Sequence, residues 1–471
     1  VGYKEIYQRY TQSILAGTLK PGEKVPSIRV LAEDLGVAKK TVEAAYDILI
    51  GEGYLISRGA RGTLVNPELF IKKQSAETPQ LVLEDKSLKQ IIDLRDNKGY
   101  FRLGIPSLDE FPYKKWLLLS GKAIRAMRPE EMLNPPIMGY PPLRQAIANY
   151  LNISRGLNCK PEQIFITSGY KSSIALILQT LSVQNDKCIF EDPGYFFGQK
   201  LLKRIVHNLH YAPVDAQGLN VDYLLQHHHD AKFVITSPAH HSPLAVTLSL
   251  PRRQQLLQWA VQTKAWVIED DYDGEFHYTK KVIPALKSQD TDDRVIYVGT
   301  FSKTIMPSMR VSYIVMPTEL IGKFKETGEI IETSQPLLPQ KILTLFLSEG
   351  HFFKHLKKMR ALYQQRRMMV YSALETVYPG LFTYEHTDGG MHIVVFLKQG
   401  VQDLQLAELW NSFNLQVFPL SGWYSQKNKR YGLVIGYTNI KSEQEAIAVL
   451  SLAYKDTMAL LKLGSDHIVN C

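Results

Sequence analysis

From residue 139 onward, short apolar runs rich in β-branched residues return at 164–167, 188–191, 233–236, 265–269, 295–299 and 311–315, with helix-length stretches between them. A strand that is apolar at successive positions is buried on both faces, and parallel neighbours need a crossover long enough to hold a helix. The rhythm therefore predicts an α/β domain built around a mainly parallel, helix-covered sheet. Such a sheet collects ligands at the carboxyl ends of its strands and phosphates at helix N-termini.

Those ends carry a coherent set of residues. Gly299-Thr300-Phe301-Ser302-Lys303-Thr304 closes one strand, and Ile268-Glu269-Asp270-Asp271-Tyr272 closes the strand before it. A lysine and a carboxylate so disposed suit pyridoxal 5'-phosphate. Lys303 would form the aldimine with the coenzyme's aldehyde, and Asp270 would keep the pyridine nitrogen protonated so that the ring withdraws electrons. Tyr272 would donate to the ring's phenolic oxygen, which His240 in Ser237-Pro238-Ala239-His240 would also approach. Ser168, Gly169 and Tyr170 follow a strand and open a helix, so their amides would hold the phosphate, with Thr300, Ser302 and Arg310 completing the cup. In Glu191-Asp192-Pro193-Gly194-Tyr195 the tyrosine would stack on the ring. Each signal alone has a plain structural alternative: a surface lysine, a loop start, a packed tyrosine or histidine. Their order and their common place at strand ends argue for the coenzyme. No metal site is expected.

Residues 1–66 follow a different pattern. Helical spacing over 4–15 stops at Gly17 and Pro21-Gly22, and a second helix starts after Ser27 as N-cap and ends at Gly36. A third runs over about 39–50, with Val42, Ala45, Tyr46 and Leu49 on its inner face and Lys39, Lys40 and Thr41 in its first turn. Two short strands then flank a glycine-rich basic turn holding Arg58 and Arg61. This is a winged helix-turn-helix, in which the start of the third helix reaches base edges in the major groove. The expected DNA contacts are Ser27, Arg29, Lys39, Lys40, Thr41, Arg58 and Arg61. Bases barely outnumber acids in this segment, so their position carries the argument, not the total.

Between the two patterns, residues 67–103 lack long periodic segments and read as an interdomain linker, with the coenzyme domain over 104–462. A chain of 471 residues is long enough for such a multidomain plan. The net charge of +9 permits a polyanionic partner without requiring one. Cys159, Cys188 and Cys471 are scattered, with neither metal-ligand spacing nor a disulfide framework. No apolar run approaches the ~18 residues of a spanning helix, and no signal peptide opens the chain, so a cytoplasmic protein without a membrane partner is expected.

The first segment also resembles the winged-helix domain of GntR-type bacterial regulators, through Leu19-Lys20-Pro21-Gly22-Glu23, the series around Pro26-Ser27-Ile28-Arg29 and Glu52-Gly53-Tyr54. The remainder resembles fold-type-I aminotransferases, with a large α/β domain and a smaller α+β C-terminal subdomain. Together the chain resembles the MocR/GabR subfamily of GntR-type regulators. That resemblance implies a head-to-tail, domain-swapped homodimer that binds an operator in double-stranded DNA and responds to a small amino compound or to the coenzyme itself. It also implies that Arg430, in Lys429-Arg430-Tyr431-Gly432, holds the ligand's carboxylate. Some positions depart from the family. Ala38 stands where a serine commonly caps the recognition helix, Phe196 and Phe197 where the GABA-responsive member has an arginine, and Lys171, His241 and Ala245 where glutamine, glutamine and glycine are usual. A two-arginine clamp on a GABA-like ligand is therefore not expected.

A transcriptional regulator that senses through Lys303 is the leading expectation. The alternative is an active aminotransferase with an accessory DNA-binding domain, since the residues for turnover are present.

Overall fold

The computed structural model describes residues 2–59, 62–69, 99–278, 284–331, 333–385, 387, 389–397 and 402–468. The chain divides into two compact units between residues 84 and 85.

The first unit packs α1 (Tyr3–Leu15), α2 (Ile28–Leu35) and α3 (Lys39–Gly51) around one small core, followed by the antiparallel hairpin β1 (Leu55–Ser57) and β2 (Thr63–Val65). Ile6, Tyr10, Ile14, Leu31, Val42, Ala45, Tyr46 and Leu49 supply that core. The Tyr46 hydroxyl is satisfied inside it by donating to the Pro26 carbonyl at 2.9 Å. Gly36, at φ +61, turns the chain from α2 into α3 in a conformation that costs glycine little.

The second unit is built on an eight-stranded sheet: β3 (Ile164–Thr167), β4 (Cys188–Asp192), β5 (Leu209–Asp215), β6 (Gly218–Leu219), β7 (Phe233–Thr236), β8 (Trp266–Asp271), β9 (Val295–Thr300) and β10 (Ser312–Val315), in the order 3-10-9-8-7-4-5-6. The run from β5 through β4, β7 and β8 to β9 is parallel. β10 lies antiparallel between β9 and β3, and β6 pairs antiparallel at the far edge. The six strands expected from sequence are all present, and β5 and β6 are additional. Lying toward the sheet edge, β5 exposes His210, Pro213 and Asp215, so it lacks the continuous apolar signature of its neighbours.

Beyond the 27-residue helix His351–Val377, a four-stranded antiparallel sheet forms the smaller subdomain: β11 (Phe382–Tyr384), β12 (His392–Leu397), β13 (Phe418–Pro419) and β14 (Gly432–Gly436), in the order 11-12-14-13. The expected linker ran to residue 103, but its last residues belong to this unit. Phe101 is fully buried, its carbonyl accepts from Gly436 N, and Tyr100 N donates to Asn414 O. Pro106, Pro112 and the aromatics of residues 101–116 suggest an arm entering the second domain, but an arm pinned by backbone bonds has no helical or alternating period to mark where the linker ends. The linker's residues 70–98 lie outside the described residues. Among the described residues no helix is long and apolar enough to cross a membrane.

Candidate functional site

A cavity of about 360 Å³ opens at the carboxyl ends of the central strands, within the size range of small-molecule sites. Gly169 and Tyr170 enter it after β3, Tyr195 after β4, Asp270 and Tyr272 from the end of β8, Thr300, Ser302 and Lys303 from the end of β9, and Arg310 from just before β10. The facing wall comes from the arm at 102–105, the start of β12, the segment around β13, and Val434 of β14.

Strand alternation selects one carboxylate from the acidic run. Glu269 turns away from the cavity to accept from the amides of Leu286 and Lys287 at 2.7 and 2.8 Å. Asp271 is tied to Arg155 and to the Tyr297 hydroxyl, at 2.7 and 2.6 Å. Asp270, between them, points the other way and lines the cavity. Burial, then the carboxylates of Asp271, Glu191 and Asp273, push Asp270 well above the usual carboxylate range, and Lys303 opposes that shift. A cationic group set against Asp270 in the cavity would offset the cost of ionising it.

Lys303 Nζ donates to the Gly104 carbonyl at 2.8 Å. A Cβ on Gly104, which sits at φ +64, would fall 2.4 Å from that ammonium, so only glycine lets the arm pass this close. Behind Tyr272, His240 Nδ1 lies 2.9 Å from the phenolic oxygen and 3.1 Å from Asp273 Oδ1. A carboxylate only accepts, so the Nδ1 proton is directed at Asp273, and Tyr272 keeps its own proton to donate. Burial first, then Asp273 and Asp270, hold that phenol proton on. His392 packs beside His240 and donates from Nε2 to the Pro243 carbonyl at 2.8 Å. His240, Asp273 and His392 bring ligand-type atoms within 4.8 Å of one another, but these hydrogen bonds account for the arrangement as a brace behind Tyr272.

At the other end of the cavity, Gly169 precedes the helix Tyr170–Leu181. A Cβ there would fall 2.5 Å from Arg310 Nη2, so the glycine admits the guanidinium to the helix N-terminus. Thr300 Oγ1 accepts from Ser302 N and from Ser312 Oγ, which orders the turn between β9 and Lys303.

Three expected residues do not reach the cavity wall. Ser168 spends its hydroxyl on Ser172 Oγ at 3.1 Å, and His240 stands behind Tyr272 as described. Arg430 is the substantive correction. It pairs with Glu385 and lies over the Phe396 ring at 3.7 Å, with its side chain 44% exposed. Strand β14 starts only at Gly432; Leu433 and Ile435 face the main core, and the residue it presents to the cavity is Val434. Phe196 and Phe197 do line the cavity, and with Phe418 and Trp423 they make one wall aromatic. Of the other departures, His241 is buried with Nε2 3.5 Å from Glu191 Oε2, Ala245 takes the left-handed conformation at φ +59, and Lys171 places its ammonium over the Phe197 ring. Sequence reasoning missed Arg102, Ser242, His392 and Gln416 as wall residues. Arg102 fell inside the expected linker, Ser242 lies within the 240–245 stretch whose expected site residue was His240, and His392 and Gln416 belong to no motif.

On the first unit, Lys39 and Lys40 are exposed at the start of α3, with Thr41 half-buried behind them. Ser27 caps α2 by accepting from Val30 N at 3.3 Å, whereas Ala38 offers α3 no side-chain cap. Arg29 makes an exposed pair with Glu33, which is readily exchanged for a phosphate contact. Arg58 is exposed at the end of β1, and Arg61 lies outside the described residues. Lys24 is an unanticipated cation here: its side chain crosses Gly62, where a Cβ would fall 2.9 Å from Lys24 Cε.

The cavity fits a flat, phosphate-bearing pyridine on three counts. A buried carboxylate faces it, an arginine and a helix N-terminus meet across a glycine at one end, and a lysine stands at the strand end between them. Residues 110–432 match the family model for aminotransferase class I and II, and residues 2–65 that for bacterial regulatory proteins of the gntR family. The probable rhizopine catabolism regulatory protein MocR of Rhizobium meliloti is 31% identical, over 96% of this chain and 93% of its own. The HTH-type pyridoxine biosynthesis transcriptional regulator PdxR of Corynebacterium glutamicum is 29% identical, over 92% and 91%. Among solved structures, an archaeal alanine:glyoxylate aminotransferase superposes with a TM-score of 0.71 at 25% identity, covering 79% of this chain and 94% of that one.

Proposed function

Because the chain belongs to the aminotransferase class I and II family and carries ahead of it the winged helix of the gntR family, the arrangement of the MocR subfamily, we propose how it works as a regulator. It is a DNA-binding transcriptional regulator that takes pyridoxal 5'-phosphate. The observation that carries the reading is Lys303 and Asp270 in one cavity of a chain whose other unit is a winged helix. Bound there, the coenzyme would supply an electrophilic aldehyde for amine chemistry. Lys303 is the resident amine. Asp270 holds a proton on the pyridine nitrogen, Tyr272 braced by His240 donates to the phenolic oxygen, and Tyr195 covers the ring face. Gly169, Tyr170, Thr300, Ser302 and Arg310 hold the phosphate, with Ser168 ordering their turn.

The effector is a small amino compound that displaces Lys303, or the coenzyme itself. Its differential affinity for two states of the protein need amount to only a few kcal/mol to shift their populations. On DNA, Lys39, Lys40 and Thr41 approach the major groove, while Ser27, Arg29, Arg58, Arg61 and Lys24 meet phosphates. Work on a chromosome places the protein in the cytoplasm. The working form is a homodimer, swapped head to tail as the subfamily resemblance implies, and half-site spacing then couples ligand state to DNA affinity. The helix Tyr113–Arg125 supports a second copy: it buries Leu119 and Ala123 but leaves Leu117 75% and Leu118 58% exposed, with Leu133 beyond it 74% exposed.

The test is the absorption spectrum of the purified protein with pyridoxal 5'-phosphate, alone and titrated with amines, beside Lys303→Ala. A visible band that depends on Lys303 and shifts with one amine, without product building up, is the expected result. Absence of a lysine-dependent band would sink the coenzyme role, and repeated turnover with an amino donor and a keto acid would make the chain a transaminase instead.

A further inference from the structure

The roles above leave one end of the cavity unused. Among the described residues its lining holds three cationic side chains, Arg102, Lys303 and Arg310. Lys303 is the amine, and Arg310 lies against Gly169 at the phosphate end. That leaves Arg102, on the arm from the facing wall. Its Nη2 donates to Asn439 Oδ1 at 3.3 Å, and Asn439 is itself oriented by donating to the Ile105 carbonyl at 3.0 Å. Nε is buried and takes no partner among the described residues. Gln416 lines the same cavity, is 1% exposed, and has no partner for either atom of its amide. Buried amides and guanidinium nitrogens are almost always hydrogen-bonded, so two such groups on one wall point to a bound molecule that completes them.

The backbone holds both groups in place at some cost. Phe101, just before Arg102, sits at φ +56 and Gln416 at φ +49, left-handed conformations rare for side chains of this kind. Such strain concentrates at ligand sites. Two glycines press the pieces together: a Cβ on Gly99 would fall 2.5 Å from Gln416 Cγ and Cδ, and one on Gly436 would fall 2.2 Å from the Arg102 carbonyl oxygen. Among the described residues Asp270 is the only acid in the lining, so no other carboxylate named there repels an anion. Where Arg430 was expected to take a carboxylate, β14 presents only Val434.

We propose that Arg102 and Gln416 form an acid-binding subsite, so that the amine exchanged at Lys303 is an amino acid whose carboxylate is held by this pair. The inference rests on the coenzyme reading above. An arginine and an amide donor match the two oxygens of a carboxylate, and the aromatic wall of Phe196, Phe197 and Trp423 receives an apolar body. An amine without the acid leaves both groups unpartnered and binds worse.

The test uses the full-length protein loaded with pyridoxal 5'-phosphate, titrated with α- and ω-amino acids, each paired with the amine of the same skeleton lacking the carboxylate, and followed by the shift of the visible band. The acids are expected to act at concentrations roughly 10- to 100-fold below those of their paired amines, the span of a charge-assisted hydrogen bond. Arg102→Gln removes that gap, and Gln416→Leu, a separate change of similar volume, narrows it. The proposal is overturned if amines match their acids in the wild type, if no acid in the panel shifts the band, or if either folded variant keeps the full gap. A wild-type spectrum without a Lys303-dependent band removes the coenzyme reading and this one with it; a normal band without acid preference removes this one alone.

Discussion

At the scale of single residues, the phosphate end of the cavity depends on what Gly169 lacks. Its φ of +142 belongs to a region that only glycine enters readily, and its missing Cβ is the space through which Arg310 reaches the helix N-terminus. Gly169→Ala both strains the turn and displaces the guanidinium. We expect coenzyme affinity to fall by about tenfold or more, equivalent to at least ~1.4 kcal/mol, in an absorbance titration. An unchanged affinity would mean that Arg310 does not contact the phosphate. Lys303, Asp270 and Gly169 were legible because each sits where a strand ends, a position that the run of apolar residues announces. Arg430 misled for the same reason in reverse. It lies just before a strand, and the sequence does not say that Tyr431 still separates it from the start of β14 or that the strand turns Val434 to the cavity.

At the scale of elements, the winged helix is written in local signals. Ser27 and Gly36 bound α2 as cap and stop, and the inner face of α3 follows from its spacing. Ala38 is the weak point. It holds the extended backbone of an N-cap, φ −64° and ψ 140°, yet has no side chain to accept from the first turn of α3. Ala38→Ser is expected to stabilise this unit by about 0.5–1 kcal/mol, read from the midpoint of its denaturant transition, and to add a hydroxyl beside the DNA. A midpoint that falls would show that the α3 start is held by something other than its cap. Strands β5 and β6 carry no apolar run in the sequence, because β5 exposes His210, Pro213 and Asp215 and β6 is only the two residues Gly218 and Leu219.

At the scale of the whole molecule, the exposed Leu117, Leu118 and Leu133 bear on self-association. Leu117→Glu combined with Leu133→Glu is expected to weaken a dimer by at least ~10-fold in sedimentation at micromolar protein, since burying two charges without partners costs more than the apolar contact returns. A wild-type chain that sediments as a monomer would end the dimer reading. What the amino-acid sequence determined by itself was whatever acts between chain neighbours: caps, strand runs, turns, and the motifs at strand ends that carry the coenzyme residues. Only the tertiary structure decided which side chains face those motifs. Arg102 meets Asn439 across 337 positions, and Gln416 comes to the same wall from a loop with no motif. Such pairings arise when the arm and the small sheet pack over the strand ends, and no local periodicity encodes a contact between segments that only the folded core brings together.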